Sequence, residues 1–137
     1  ALLGAARREN VPAPALCQPA LSLLNRAALD DMLPLCEKEN IGVVPYQVLQ
    51  GGVLTGKYKR GAAAPEGSRL AEKPEWLKPF TDEVYNVLAE CERAAEAAGV
   101  SMTQHALRWA LAQPAVVSAL IGVKRTEQID EAAKAAE

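Results

Sequence analysis

Few of the 137 residues carry side chains suited to chemistry, and their spacing narrows what that chemistry is. Cys17, Cys36 and Cys91 form no CxxC pair, and with His105 as the single histidine they make a poor zinc set. An odd, sparse cysteine count suits reduced thiols in a cytosolic protein. Thr55-Gly56-Lys57 invites comparison with a phosphate-binding loop, but Tyr58 follows the lysine where the G-x-x-x-x-G-K-[ST] pattern needs serine or threonine. Lys124-Arg125 is a solvated turn by residue type alone; its place after an apolar run and before a capped helix suits phosphate better. Taken singly, Tyr46 reads as a strand-end tyrosine that fills space and Gln18 as a polar loop residue. His105 reads as a helix-surface or partly packed histidine, and Trp109, beside Leu107 and Leu111, as helix–sheet packing. Trp76 and Phe80 lie in or next to a long loop, within reach of a substrate or cofactor.

The elements that must position these residues alternate in type. Residues 1–10 are helical in pattern and start without a cap, and the prolines of VPAP end them. Ala15-Leu16-Cys17 is long enough only for a short buried strand. Leu29 to Asn40 has a helical stripe of Leu29, Leu33 and Cys36, with Pro34 predicting a kink or a late start. Residues 41–46 form an apolar run, expected to be a parallel strand covered on both faces. Residues 50–80, rich in glycine and proline, read as a functional loop with a small helical patch around Val53 to Tyr58. Thr81 caps a strong helix to about Ala98, ended by Gly99, and Ser101 with Gln104 is a capping box for a helix from Met102 to Ala112. Val116 to Ile121 is expected as a third buried strand, and Glu127 to Ala136 as a last helix with Ile129 on its inner side. Repeated strand–helix units call for an α/β fold with a parallel sheet. Three strands do not close a barrel, which usually takes about 250 residues. The uncapped start favours a piece of something larger.

Composition sets outer bounds. A formal net charge of -2 gives no reason to expect nucleic acid or an anionic membrane as partner. No stretch resembles a signal peptide, and no apolar run approaches the roughly 20 residues needed to cross a bilayer. A cytoplasmic location is expected.

Five segments, in order, carry a resemblance: residues 18–26 (QPALSLLNR), 43–58 (VVPYQVLQGGVLTGKY), 67–69 (GSR), 106–114 (ALRWALAQP) and 121–131 (IGVKRTEQIDE). Together they resemble the aldo-keto reductase family from its sixth barrel strand to the helix after its eighth. The resemblance implies a partial (β/α)8 barrel, with residues 1–137 as the C-terminal part of an NADP-dependent oxidoreductase domain. It also implies a cofactor, NADP, across the barrel mouth. Gln18 would then hydrogen-bond the nicotinamide carboxamide, and Tyr46 would stack on its ring. Gln47, Leu49 and the Gly51-Gly52 turn would lie along the pyrophosphate. Gly122 belongs to the cofactor-binding turn, where Lys124 and Arg125 would face the 2'-phosphate, with Gln128 and Glu131 at the adenosine end.

The pattern is departed from at Leu21, where the family generally has tyrosine, at Gln47-Val48, where it has serine-proline, and at Ala132, where it has asparagine. The family's catalytic aspartate, tyrosine, lysine and histidine come from early strands and match nothing in this chain. No catalytic residue and no metal is assigned. The resemblance implies a complete protein that reduces aldehydes or ketones, its substrate a small carbonyl compound, and an isolated chain that is inactive. The alternative is a non-catalytic barrel fragment or subunit that associates with its missing half, with itself or with another chain.

Overall fold

A computed structural model gives the fold and describes residues 2–77 and 80–137. Ala1, which the sequence assigns to the first helix, and residues 78–79 of the long loop lie outside the described residues. Helix α1 (Leu2–Glu9) leads to strand β1 (Leu16–Cys17), then to helix α2 (Met32–Lys38) and strand β2 (Gly42–Val43). After the loop, which holds the short helix α3 (Arg69–Glu72), come α4 (Asp82–Ala97), α5 (Met102–Leu111) and α6 (Thr126–Ala133).

The strands are parallel, with Leu16 opposite Gly42 and Cys17 opposite Val43, and the pairing resumes at Ala20 and Tyr46. The expected third strand is extended and joins β2 in parallel: Val117 N–H donates to the Val43 carbonyl at 2.9 Å, and Leu120 N–H to that of Pro45 at the same distance. It forms a bridge at Val116 and no continuous ladder. Nor is it buried, since Val117 is 64% exposed, and the same correction applies to β1, whose Leu16 is 57% exposed. A Cβ on Gly42 would meet Leu16 at 2.8 Å and Val117 at 3.1 Å, so these three residues share one sheet face. No described element covers that face, so β2 is covered on one side and not on two. The opposite face carries Val43, fully buried beneath α2 with Leu33, Cys36 and Ile41.

Local chemistry sets the helix ends. Pro34 is the third residue of α2, inside the first turn where backbone N–H groups have no helical acceptor, so the helix starts late at Met32; Ala27–Leu29 forms a separate 3-10 turn. The Thr81 hydroxyl accepts from Val84 N–H at 3.4 Å and caps α4, which ends before Gly99 at a φ of 66°. Ser101 and Gln104 cap α5 reciprocally, at 3.1 and 3.2 Å. Helix α6 corrects the expected orientation: Ile129 is 51% exposed, and Ala132 and Ala135 face Leu107 and Ala110 of α5. The helical patch of the long loop lies over Gln50–Thr55, earlier than expected.

The apolar residues form three groups. Leu23, Val53 and Leu54 pack with α4 and α5; Leu21, Leu33, Cys36, Ile41 and Val43 fill the space under α2; Val48, Leu107, Ala110 and Ala135 join α5 to α6. Trp109 touches all three groups.

Candidate functional site

Beyond the C-terminal ends of β2 and the 115–121 segment, loops meet around a cleft of about 1200 Å³. Tyr46 starts one wall. Its N–H donates to the Pro19 carbonyl at 3.0 Å and its carbonyl accepts from Leu21 N–H at 3.2 Å, which fixes the backbone and leaves the ring 42% exposed. The wall continues into Gly51 and Gly52, at φ of 64° and 93°, a region that favours glycine. A Cβ on Gly51 would come within 2.7 Å of Leu77 and 3.0 Å of Arg69, and one on Gly52 within 2.6 Å of the Lys57 ammonium. Two cationic side chains therefore lie across a turn that side chains would block.

The other wall is the 122–125 turn. Gln128, in the first turn of α6, accepts with Oε1 from Lys124 N–H at 2.8 Å and Arg125 N–H at 3.3 Å, and so holds the turn against the helix. The walls are tied together: the Lys124 ammonium donates to the Gly67 carbonyl at 3.1 Å and pairs with Glu72 at 2.9 Å. The hydrogen bond and charge of Lys124 hold the Glu72 carboxyl below the usual carboxylate range.

Because Glu72 has a lowered folded-state pKa, the tie is complete above the ordinary glutamate value of about 4.3 and is lost as pH falls through the lowered one. Glu72→Gln should loosen the 67–72 segment at neutral pH as well, speeding tryptic cleavage after Arg69 several-fold. A larger effect is not expected, because exposed ion pairs contribute little. An unchanged cleavage rate would mean that the tie does not hold the loop.

Of the residues expected at a cofactor site, Tyr46, Gln47, Leu49 and Gly51 line one wall, and Gly122, Lys124, Arg125, Gln128 and Glu131 line the other. Gln18 does not line the cleft; it is exposed just past β1, on the segment that runs beside Tyr46. Leu21 is fully buried in the core, and Ala132 lines the cleft. Trp76 also lines it, with the Lys73 ammonium 4.1 Å from its ring centre, whereas Phe80 packs between Tyr58 and Tyr85. Lys57 and Arg69 lie in the resembling segments 43–58 and 67–69, which assign them no role. Lys57 stands in the Thr55-Gly56-Lys57 run set aside for lacking a phosphate-loop pattern. Arg69 follows Ser68, whose hydroxyl caps α3 by accepting from Ala71 N–H at 3.3 Å. A serine cap in a glycine-rich loop was the available signal.

The model of the family described as "Aldo/keto reductase family" matches residues 2–137. The chain is 35% identical over 136 residues to a protein of Arabidopsis thaliana named "Probable voltage-gated potassium channel subunit beta", covering 96% of this chain and 41% of that one. It is 36% identical over 120 residues to the L-glyceraldehyde 3-phosphate reductase of Escherichia coli (strain K12), covering 83% and 34%. Among solved structures it is similar to the glycerol dehydrogenase AKR11B4 from Gluconobacter oxydans, with a TM-score of 0.65 and 30% identity, covering 93% of this chain and 43% of that one. The chain thus spans about two-fifths of the length of relatives it matches, and its fold is a partial (β/α)8 barrel with an unclosed sheet.

Proposed function

The chain belongs to the aldo/keto reductase family, and from that premise we propose that its cleft holds the nicotinamide cofactor of a complete reductase, NADP in preference to NAD. The observation that carries this reading is the convergence of Lys57, Arg69, Lys124 and Arg125 on one cleft with the Gly51-Gly52 turn. Four cations and a wall without side chains suit a pyrophosphate and a further phosphate.

When bound, the cofactor supplies the hydride. Lys57 and Arg69 hold the pyrophosphate across the glycine turn. Lys124 and Arg125 take the 2'-phosphate at the N-terminal end of α6, where the helix dipole adds a favourable field. Gln128 fixes the turn that presents both cations, and Glu131 borders the adenosine end. Gln47 and Leu49 flank the pyrophosphate. Tyr46 supports the nicotinamide ring, and Gln18 takes its carboxamide from the β1 side. The complete protein reduces an aldehyde or ketone to an alcohol, with the proton donor contributed by barrel strands outside this sequence.

Titration of the chain with NADPH and NADH tests the assignment. NADPH should bind more tightly, and Lys124→Ala with Arg125→Ala should erase most of the difference, about tenfold or more for two charge-assisted contacts at an open surface. Equal binding of the two nucleotides by the unaltered chain would overturn it.

A second reading, a non-catalytic subunit that works through association, draws on the uncovered face of Leu16, Gly42 and Val117 and the unpaired outer edges of the sheet. Sedimentation separates the two readings: self-association abolished by Val117→Lys favours the subunit.

A further inference from the structure

Three sulfur atoms meet where β1 packs on α2. Cys17 ends β1, and Met32 and Cys36 are one helical turn apart on α2, so their side chains lie on one face. The Cys17 thiol is 3.6 Å from the Met32 sulfur, and Cys17 packs against the apolar group under α2 that contains Cys36. Both thiols are free. Their access to solvent differs. Cys36 is 3% exposed, Cys17 is half-buried, and Met32, 40% exposed, forms the open side of the cluster. Cys91 sits apart, in the group formed by α4 and α5.

The geometry points to Cys17 and Cys36 as an oxidisable pair that closes to an intramolecular disulfide on reaction with a hydroperoxide. In the first step the Cys17 thiolate attacks one peroxide oxygen. An S–O bond forms, the O–O bond breaks, and the leaving oxygen departs as an alcohol, or as water from hydrogen peroxide, leaving a sulfenic acid at Cys17. In the second step the Cys36 sulfur, giving up its proton, attacks the sulfenic sulfur. An S–S bond forms, the S–O bond breaks, and the hydroxyl leaves as water. The two thiols lose two electrons and two protons together, and the hydroperoxide is reduced.

The order of events follows from environment. Burial, with Cys17 as neighbour, pushes the Cys36 thiol above its ordinary value, so it is the poorer first nucleophile. It nonetheless stands one helical turn from Met32, whose sulfur the Cys17 thiol already touches. Closure has to bring the two sulfurs to bonding distance, about 2.05 Å. The bond would tether the end of β1, one residue before Gln18, to α2.

The purified chain is exposed to graded hydrogen peroxide, its remaining thiols are blocked, and it is digested with trypsin without reduction. Cleavage after Arg8, Arg26 and Lys38 places Cys17 and Cys36 on separate peptides. The expected result is a linked pair of those peptides, a loss of two hydrogens from the intact mass and a fall in free thiols from three to one, all reversed by dithiothreitol. Cys91→Ser should form the link like the unaltered chain, and Cys36→Ser should leave Cys17 oxidised and unlinked. Disulfides to Cys91, links between chains, or oxygen addition at Met32 with all three thiols still free would each overturn the proposal. The peptide map of the unaltered chain decides the matter even where Cys36→Ser fails to fold.

Discussion

Incubated with NADPH and a reactive aldehyde, the purified chain should consume no cofactor above the buffer rate. Carbonyl reduction needs a proton donor placed at the developing alkoxide, and loss of a general acid alone costs about 10²- to 10⁴-fold. Of the three tyrosines, only Tyr46 lines the cleft. Tyr58 is 5% exposed and its hydroxyl accepts from Leu70 N–H at 3.2 Å; Lys57 lies over its ring at 5.3 Å. Tyr85 meets Phe80 edge-on and has Arg60 over its ring, away from the cleft wall. His105, on α5, does not reach the cleft either. Cofactor oxidation that scales with the concentration of the chain would overturn the expectation.

Trp109→Ala should be the most damaging single substitution in the core. Its ring packs against all three apolar groups, and the Arg26 guanidinium lies 5.3 Å from its centre. Truncating a packed tryptophan costs about 3 to 5 kcal/mol, and partial exposure of this ring moves the expectation to the lower end. Domain stabilities run to about 5 to 15 kcal/mol, so a loss of that size removes a large share of the total. The unfolding midpoint in urea should therefore collapse, with a large fraction unfolded without denaturant. Trp76→Ala is the control: that ring is 58% exposed and its loss should stay within about 0.5 kcal/mol. Equal effects at the two positions would show that Trp109 does not join the three groups.

What was legible in the sequence was local. The Thr81 cap, the reciprocal Ser101–Gln104 cap and the glycine stop at Gly99 depend on neighbours within a few residues, and all stand in the structure. Burial was less legible because it depends on what lies opposite. Val117 and Leu16 are as apolar as core strand residues, yet the layer that would cover them is not among the described elements. Ile129 misled for a different reason: α6 and the residues just after it approach α5 closely through Ala132 and Ala135, so small residues mark the inner side and the large apolar residue faces outward. At the cleft, an ordered family pattern located both walls. It contained Lys57 and Arg69 but gave them no role, because their positions depend on how the irregular loop folds back over Gly51 and Gly52.

The cleft has one more property. Every described residue on its walls falls between Tyr46 and Ala132 in the primary structure. A recombination crossover anywhere between Gln18 and Tyr46 would carry the entire lining into a new host barrel in a single event. The donor's charge pattern would arrive intact, and the recipient's own proton-transfer residues would stay where they were. On the cofactor assignment proposed above, cofactor preference and chemical step are separately heritable, and chimeras joined at the 44–45 peptide are the natural way to exchange one without rebuilding the other.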